Sequence, residues 1–233
     1  IQESAVKPVE PVFLDFKKDM SQLTAKSDIP VLYKQNVTND LFQLIYVFDM
    51  GNNNDKALGT AYDYLEYLGT SDMTPEELKS EFYRLGCTFY VSPGNERTYV
   101  VLSGLNENMP AAMQLFEKLL ADAQVNKEAY DNLVGDILKA RADAKLNQGQ
   151  NFSRLMNYAM YGPKSPATNL LTEAELASMN PQELVDRIHN QNNYKHRILY
   201  YGPSSSKDLL ATIEQYHQVP ATLKDIPAGN EYS

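Results

Sequence analysis

Apolar residues along this chain alternate between short strand-like runs and stretches with helical spacing. Ile29-Pro30-Val31-Leu32-Tyr33 and the run from Leu41 to Phe48 predict two strands. The polar link Asn36-Val37-Thr38-Asn39-Asp40 predicts a hairpin turn between them. Gly51-Asn52-Asn53-Asn54-Asp55 closes the second run, and a helix is expected from about Lys56 to Leu68. The next helix opens with Thr74 as N-cap, Pro75 at N1 and Glu77 at N3, a capping box, and ends near Gly86. Strands follow over 87–92 and 98–105, joined by the turn Pro93-Gly94-Asn95-Glu96.

Asn108 and Pro110 open a helix that reaches Leu120, and a long helix is expected from Lys127 to Leu146. Leu133, Ile137, Leu138 and Ala140 mark its apolar side. Lys139, Arg141 and Lys145, interspersed with Asp136 and Asp143, read as a solvated face. A helix over 151–160 stops at Gly162-Pro163. Thr172–Glu175 and Asn180–Glu183 each read as a capping box. Arg197–Tyr201 reads as a strand and Ser204–His217 as the last helix. The order predicts an α+β fold, with a mixed or antiparallel sheet of four to five strands and helices packed on one face. Residues 1–28 read as an extended lead, 29–218 as a single module and 219–233 as a tail.

Composition narrows the function classes. The chain has 233 residues, 43% hydrophobic and 22% charged, as in ordinary globular proteins. A net charge of −9 argues against a nucleic-acid binder or a polybasic membrane binder. No apolar run approaches a membrane-spanning length, and no signal-peptide pattern is present. The chain opens Ile1-Gln2-Glu3-Ser4 without an initiator methionine, which predicts a piece of something longer. The single Cys87 lies in the apolar run Cys87–Val91, which predicts a buried, inert thiol.

The segment Gly59-Thr60-Ala61-Tyr62-Asp63-Tyr64-Leu65-Glu66-Tyr67-Leu68-Gly69-Thr70 carries the candidate chemistry. Set against the inverted zinc motif H-x-x-E-H, Glu66 is in register while Asp63 and Tyr67 stand in the two histidine positions. Histidines at i and i+4 share a helix face and grip one ion together. An aspartate there is a weak substitute, and a phenol must lose a proton held to a pKa of about 10. The predicted site therefore has no catalytic residue, cofactor or metal. The simpler reading of the same residues is an amphipathic helix, with Tyr62, Tyr64 and Tyr67 as packing residues whose hydroxyls stay wet.

With its flanks, this segment resembles the M16 (insulinase/pitrilysin-like) metallopeptidases, and in particular their degenerate, non-catalytic half. The resemblance extends through Leu85-Gly86, Leu105–Ala112, Tyr158–Pro166, Leu171–Leu176, Pro181–Leu184 and Ile198–Gly202, in that order. It implies a module of a larger zinc endopeptidase, inactive by itself, that forms part of the substrate chamber. The active M16 half, in the same polypeptide or a homologous subunit, would be its partner and would hold the zinc; peptides would be the substrates. The family's third zinc ligand, a downstream glutamate, falls in the region of Glu128, Asp131, Asn132 and Asp136, and no ligand is carried over to any of them. The alternatives are an M16-derived scaffold or interaction subunit without protease activity, and an independent hydrolase.

Other constellations carry less. His189 and His196, seven residues apart, fit no common zinc spacing and read as surface or cap residues. Ser204-Ser205-Ser206 could bind an anion at a helix start, but a plain N-cap is simpler. There is no G-x-S-x-G elbow, P-loop or G-x-G-x-x-G.

Overall fold

A computed structural model describes residues 10–232, apart from Val12 and Leu14. Most of the first part of the expected lead, and the terminal Ser233, lie outside the described residues. The later part of that lead holds a short helix α1 (Phe16–Asp19) and the first strand. Strands β1 (Ser21–Thr24), β2 (Pro30–Gln35), β3 (Leu41–Phe48), β4 (Cys87–Pro93), β5 (Thr98–Leu105) and β6 (Arg197–Gly202) form one sheet in the order β1-β2-β6-β3-β5-β4. Only the β2–β6 pair is parallel. The α+β class with a mixed sheet is as the sequence predicts, but with six strands rather than four to five. The strand that periodicity does not show is β1, whose Ser-Gln-Leu-Thr has one apolar residue and owes its pairing to β2.

The predicted hairpin between β2 and β3 does not form. Strand β6 enters between them, parallel to β2 and antiparallel to β3. The polar link serves instead as a corner, in which Asn36 bonds Thr38, Asn39 and the Leu41 carbonyl.

Alternate strand residues point into the core. Phe42, Leu44, Tyr46 and Phe48 of β3 align with Val100 and Leu102 of β5 and with Ile198 and Tyr200 of β6, all buried. Helices α2 (Leu58–Leu65), α4 (Met109–Asp122), α8 (Gln182–Asn190) and α9 (Ser206–Tyr216) fill that face with Leu58, Leu65, Met113, Phe116, Leu184, Ile188, Leu209 and Ile213. Each such side chain contributes about 1.5–3 kcal/mol by leaving water. The other sheet face carries Tyr90, Tyr99 and Tyr201, all exposed.

Helix α3 (Pro75–Arg84) has the predicted capping box, with both Thr74–Glu77 bonds made. A second box opens α7 (Glu173–Ser178) at Thr172 and Glu175. The third does not form: Asn180 Oδ1 accepts from the Gln182 amide, and Pro181 sits at the N-cap of α8. Helix α5 (Lys127–Leu146) has the predicted bounds and runs on into α6 (Gln148–Tyr161). Arg141 is not wholly solvated, since it donates to the Leu171 carbonyl at 2.7 Å. Helix α6 has no buried residue and exposes Phe152, Leu155, Met156 and Met160. Beyond α9 the chain crosses the molecule: the Lys224 amide bonds Asn193 O, and the Asn230 amide bonds Asn53 O.

Candidate functional site

Helix α2 holds the degenerate motif, but it stops at Leu65, three residues before the predicted end. The Tyr67 and Leu68 amides reach Tyr64 O and Leu65 O at 3.0 and 3.1 Å, a tightened last turn. Asp63 therefore sits on the helix, Glu66 caps it, and Tyr67 lies beyond it, 45% exposed. Asp63 and Tyr67 do not share a helical face as an i, i+4 ligand pair would. Asp63 is exposed, yet the neighbouring protein and the charge of Glu66 push its carboxyl above the usual range.

The motif's tyrosines have three different environments. Tyr64 is buried, and its hydroxyl donates to Asn126 O at 2.7 Å while accepting from the Asn126 amide at 2.9 Å. It thereby ties α2 to the start of α5. Tyr62 is 3% exposed, and its hydroxyl, contrary to the sequence reading, is buried without a partner. Burial raises its pKa well above the usual tyrosine range.

Tyr62 lines a largely apolar cleft of about 400 Å³ with Leu65, Glu66, Phe82, Phe89 and Val91. The cleft lies between α2, α3 and β4, and β4 is an edge of the sheet. Gly86 O accepts from the Leu105 amide, and the Gly94 amide donates to Arg97 O. Antiparallel alternation then bonds Thr88, Tyr90 and Ser92 to β5 and turns the N–H and C=O groups of Phe89 and Val91 to the free edge. Side chains that floor the cleft thus belong to residues whose backbone is unpaired. Cys87 lines the same cleft; burial raises its thiol pKa, as expected of an inert residue.

A second cavity, about 280 Å³, lies past the end of α2. It is lined by Tyr67, Lys79, Glu128, Asn132 and Asp136, while Asp131 pairs with Lys127 instead. Zinc does not fit the residues gathered here. Besides a phenol and carboxamides they offer only the carboxylates of Glu76, Glu128 and Asp136, which are not gathered to hold one ion and stand beside the Lys79 ammonium, with no histidine or cysteine, and Asp63 does not line the cavity. Among the described residues, no group of three His, Cys, Asp or Glu side chains is placed to hold a metal ion.

Sequence reasoning missed a buried polar cluster. Glu117 of α4 is 1% exposed and its two oxygens have four partners. Tyr46 hydroxyl lies 2.8 Å and His217 Nδ1 2.6 Å from Oε1; Asn192 Nδ2 lies 3.0 Å and the Gln218 amide 3.1 Å from Oε2. His217 Nε2 meets His196 Nε2 at 2.9 Å, and His196 Nδ1 meets Tyr194 O at 2.7 Å. His196 is therefore not a surface residue: it is buried against the rings of Phe48 and Tyr46. His189 is half-buried and bonded to Ala123 O. A signal existed in the helical spacing of Leu209, Ile213 and His217, and in Glu117 lying among Met113, Phe116 and Leu120. Ser205 is a plain N-cap, accepting from the Asp208 amide.

No family model matches the chain, and no curated protein matches it by sequence. Solved structures do match in fold. The periplasmic protease PqqL from Escherichia coli superposes with a TM-score of 0.79 at 14% identity, over 100% of this chain and 27% of that one. The ferredoxin protease FusC, solved as a mutant in complex with Arabidopsis ferredoxin, gives 0.77 at 12% identity, over 99% and 27%. A peptidase M16 inactive domain from Pseudomonas fluorescens gives 0.76 at 17% identity, over 92% and 54%. The chain spans about a quarter to a half of these proteins. Its fold is that of an M16-type peptidase module.

Proposed function

We propose that this chain is a non-catalytic M16-type module of a larger zinc endopeptidase, which holds extended peptide while another half supplies the zinc. The observation that carries the reading is α2: an M16-type fold with Glu66 in motif register and Asp63 and Tyr67 in place of the histidine ligands, Tyr67 beyond the helix. Glu66 then has no metal-bound water to activate. The free edge of β4 supports the peptide role. An extended segment laid there would pair with the Phe89 and Val91 backbone and drop alternate side chains into the apolar cleft. The exposed tyrosines of the open sheet face suit one wall of a substrate chamber.

The test uses the full-length parent carrying Val91→Pro. Proline removes one edge N–H without breaking a β5 ladder bond. One main-chain hydrogen bond contributes about 0.5–1.5 kcal/mol, so KM should rise about 2- to 12-fold with the melting temperature nearly unchanged. Unchanged KM for every peptide would refute the groove. If the active half cleaves fully without this chain and forms no complex with it at micromolar concentration, the chamber role is wrong as well. The exposed apolar side of α6 then favours the other reading, an M16-derived interaction subunit.

A further inference from the structure

The hydrogen bonds around Glu117 fix how many protons the buried cluster holds. Tyr194 O can only accept, so His196 Nδ1 carries a proton. The Gln218 amide and the Asn192 amide group can only donate to Glu117, and the Tyr46 hydroxyl, whose pKa lies well above its usual range, keeps its proton. Three donors already converge on the Glu117 oxygens, which favours the carboxylate with His217 Nδ1 donating to it. One proton must also lie between the two Nε2 atoms, 2.9 Å apart. Four ring nitrogens thus share three protons, and the pair's single positive charge balances Glu117. A fourth proton would set two N–H groups against each other. Two protons would set two lone pairs against each other.

This cluster sits where the C-terminal segment leaves α9. The Gln218 amide is one of its donors. Further on, the segment bonds Asn193 and Lys195 through Lys224, Asn54 through Pro227 O, and Asn53 through the Asn230 amide. Ala221–Leu223 and Ile226 cover a cavity of about 450 Å³ that His196 also lines. The far end grips the loop that leads into α2.

We propose that Glu117, His217 and His196 form a clasp that pins residues 218–232 to the sheet at neutral pH, and that uptake of one proton by the histidine pair in acid opens it. The surroundings favour this. Lys26 lines the cavity beside Glu117 and His217, but its ammonium is held by Glu214 O; His189 is held by Ala123 O. On the His196 side, Asp49 is committed to Arg97 and Arg197, and Lys195 to Asp225. Asp28 lines that side too, but the groups that act on His196 are the protein around it, His217 and the Tyr194 carbonyl. Burial, then the charge of His217, lowers the His196 pKa from 6.5 to about 4. An opened segment frees His196 to titrate normally. The sign is therefore fixed: the closed form is favoured above about 6.5, and opening gains up to tenfold per pH unit as pH falls from there to about 4.

Amide hydrogen exchange on the full chain, corrected with an unfolded control at each pH, tests this. Protection at Gln218, Lys224 and Asn230 should fall about 40-fold between pH 6.5 and 4.5, while β3 and β5 keep theirs. His196→Gln keeps a carbonyl facing His217 Nε2 and cannot titrate, so its segment should hold its protection. Constant protection in the unaltered protein, or an equal fall in the Gln variant, would overturn the proposal. Ring-nitrogen NMR of the unaltered protein at pH 7 decides independently of any variant. Three protonated nitrogens across His196 and His217 support the clasp, and two neutral rings overturn it.

Discussion

Replacing Glu117 separates two ways the buried cluster could hold the fold together. In Glu117→Leu the volume is nearly kept, but the Tyr46 hydroxyl, Asn192 Nδ2 and Gln218 amide lose their acceptor. Each buried orphan costs about 1–3 kcal/mol, and relaxation recovers part, so about 4 kcal/mol is expected. Glu117→Gln behaves differently. Its oxygen can take the Asn192 and Gln218 donors. Its amide can donate to the Tyr46 oxygen and to a bare His217 Nδ1, while His217 Nε2–H still donates to His196. Only the Tyr46 proton goes without a partner, a loss of about 1 kcal/mol. For a chain of this length 1 kcal/mol moves the melting temperature by roughly 2–4 °C. Thermal unfolding at pH 7 should therefore show a drop of about 8–16 °C for Leu and about 2–4 °C for Gln. Equal drops would mean that the charge, not the acceptor count, holds the cluster. A Leu variant within about 2 °C of the unaltered protein would mean the cluster is dispensable.

Tyr64→Phe removes a hydroxyl that both donates to and accepts from Asn126, and should cost about 1–3 kcal/mol in chemical denaturation; no measurable change would mean that water replaces both bonds. If Glu66 is an exposed helix cap with no metal-bound water beside it, as proposed, Glu66→Gln should leave peptide cleavage by the full-length parent within about twofold, whereas loss of a general base costs about 100-fold or more.

Local signals in the sequence located most elements, and non-local ones failed. Thr74 and Thr172 announce their helices because a capping box is complete within four residues. The β2–β3 hairpin is the wrong expectation because the five-residue link fits a turn, while the strand that separates the pair begins only at Arg197, far along the chain. Strand β1 has a single apolar residue, Leu23, too few to show a period, so only its pairing with β2 marks it. At the site, the register of Asp63, Glu66 and Tyr67 is legible as spacing. The helix end at Leu65 is not, since Glu66, Tyr67 and Leu68 continue the helical pattern while their turn tightens in the structure. The histidine cluster joins positions 21 and 100 residues apart, so only an apolar stripe containing His217 hints at it.

The two ends of the molecule's polar chemistry meet at one loop. Residues 51–54 leave β3 and lead to α2, whose last turn and neighbouring β4 edge form the cleft. The same loop is held from the other side: Asn53 O accepts from Asn230, and Asn54 donates to Pro227 O. It is also fixed internally, with Asn52 Oδ1 accepting from the Gly59 amide and Gly51 close enough to the 94–95 turn that a Cβ would strike its carbonyls. A rigid loop of this kind transmits strain rather than absorbing it. Loss of the C-terminal segment would remove two of its hydrogen bonds while leaving the sheet's own ladder intact. The cleft between α2 and β4 would then respond to the state of Glu117, His217 and His196 without any contact between them, and peptide affinity at β4 should weaken in the same acid range that frees residues 218–232. Affinity unchanged across that range, with the segment shown to be released, would separate the clasp from the groove and leave each standing alone.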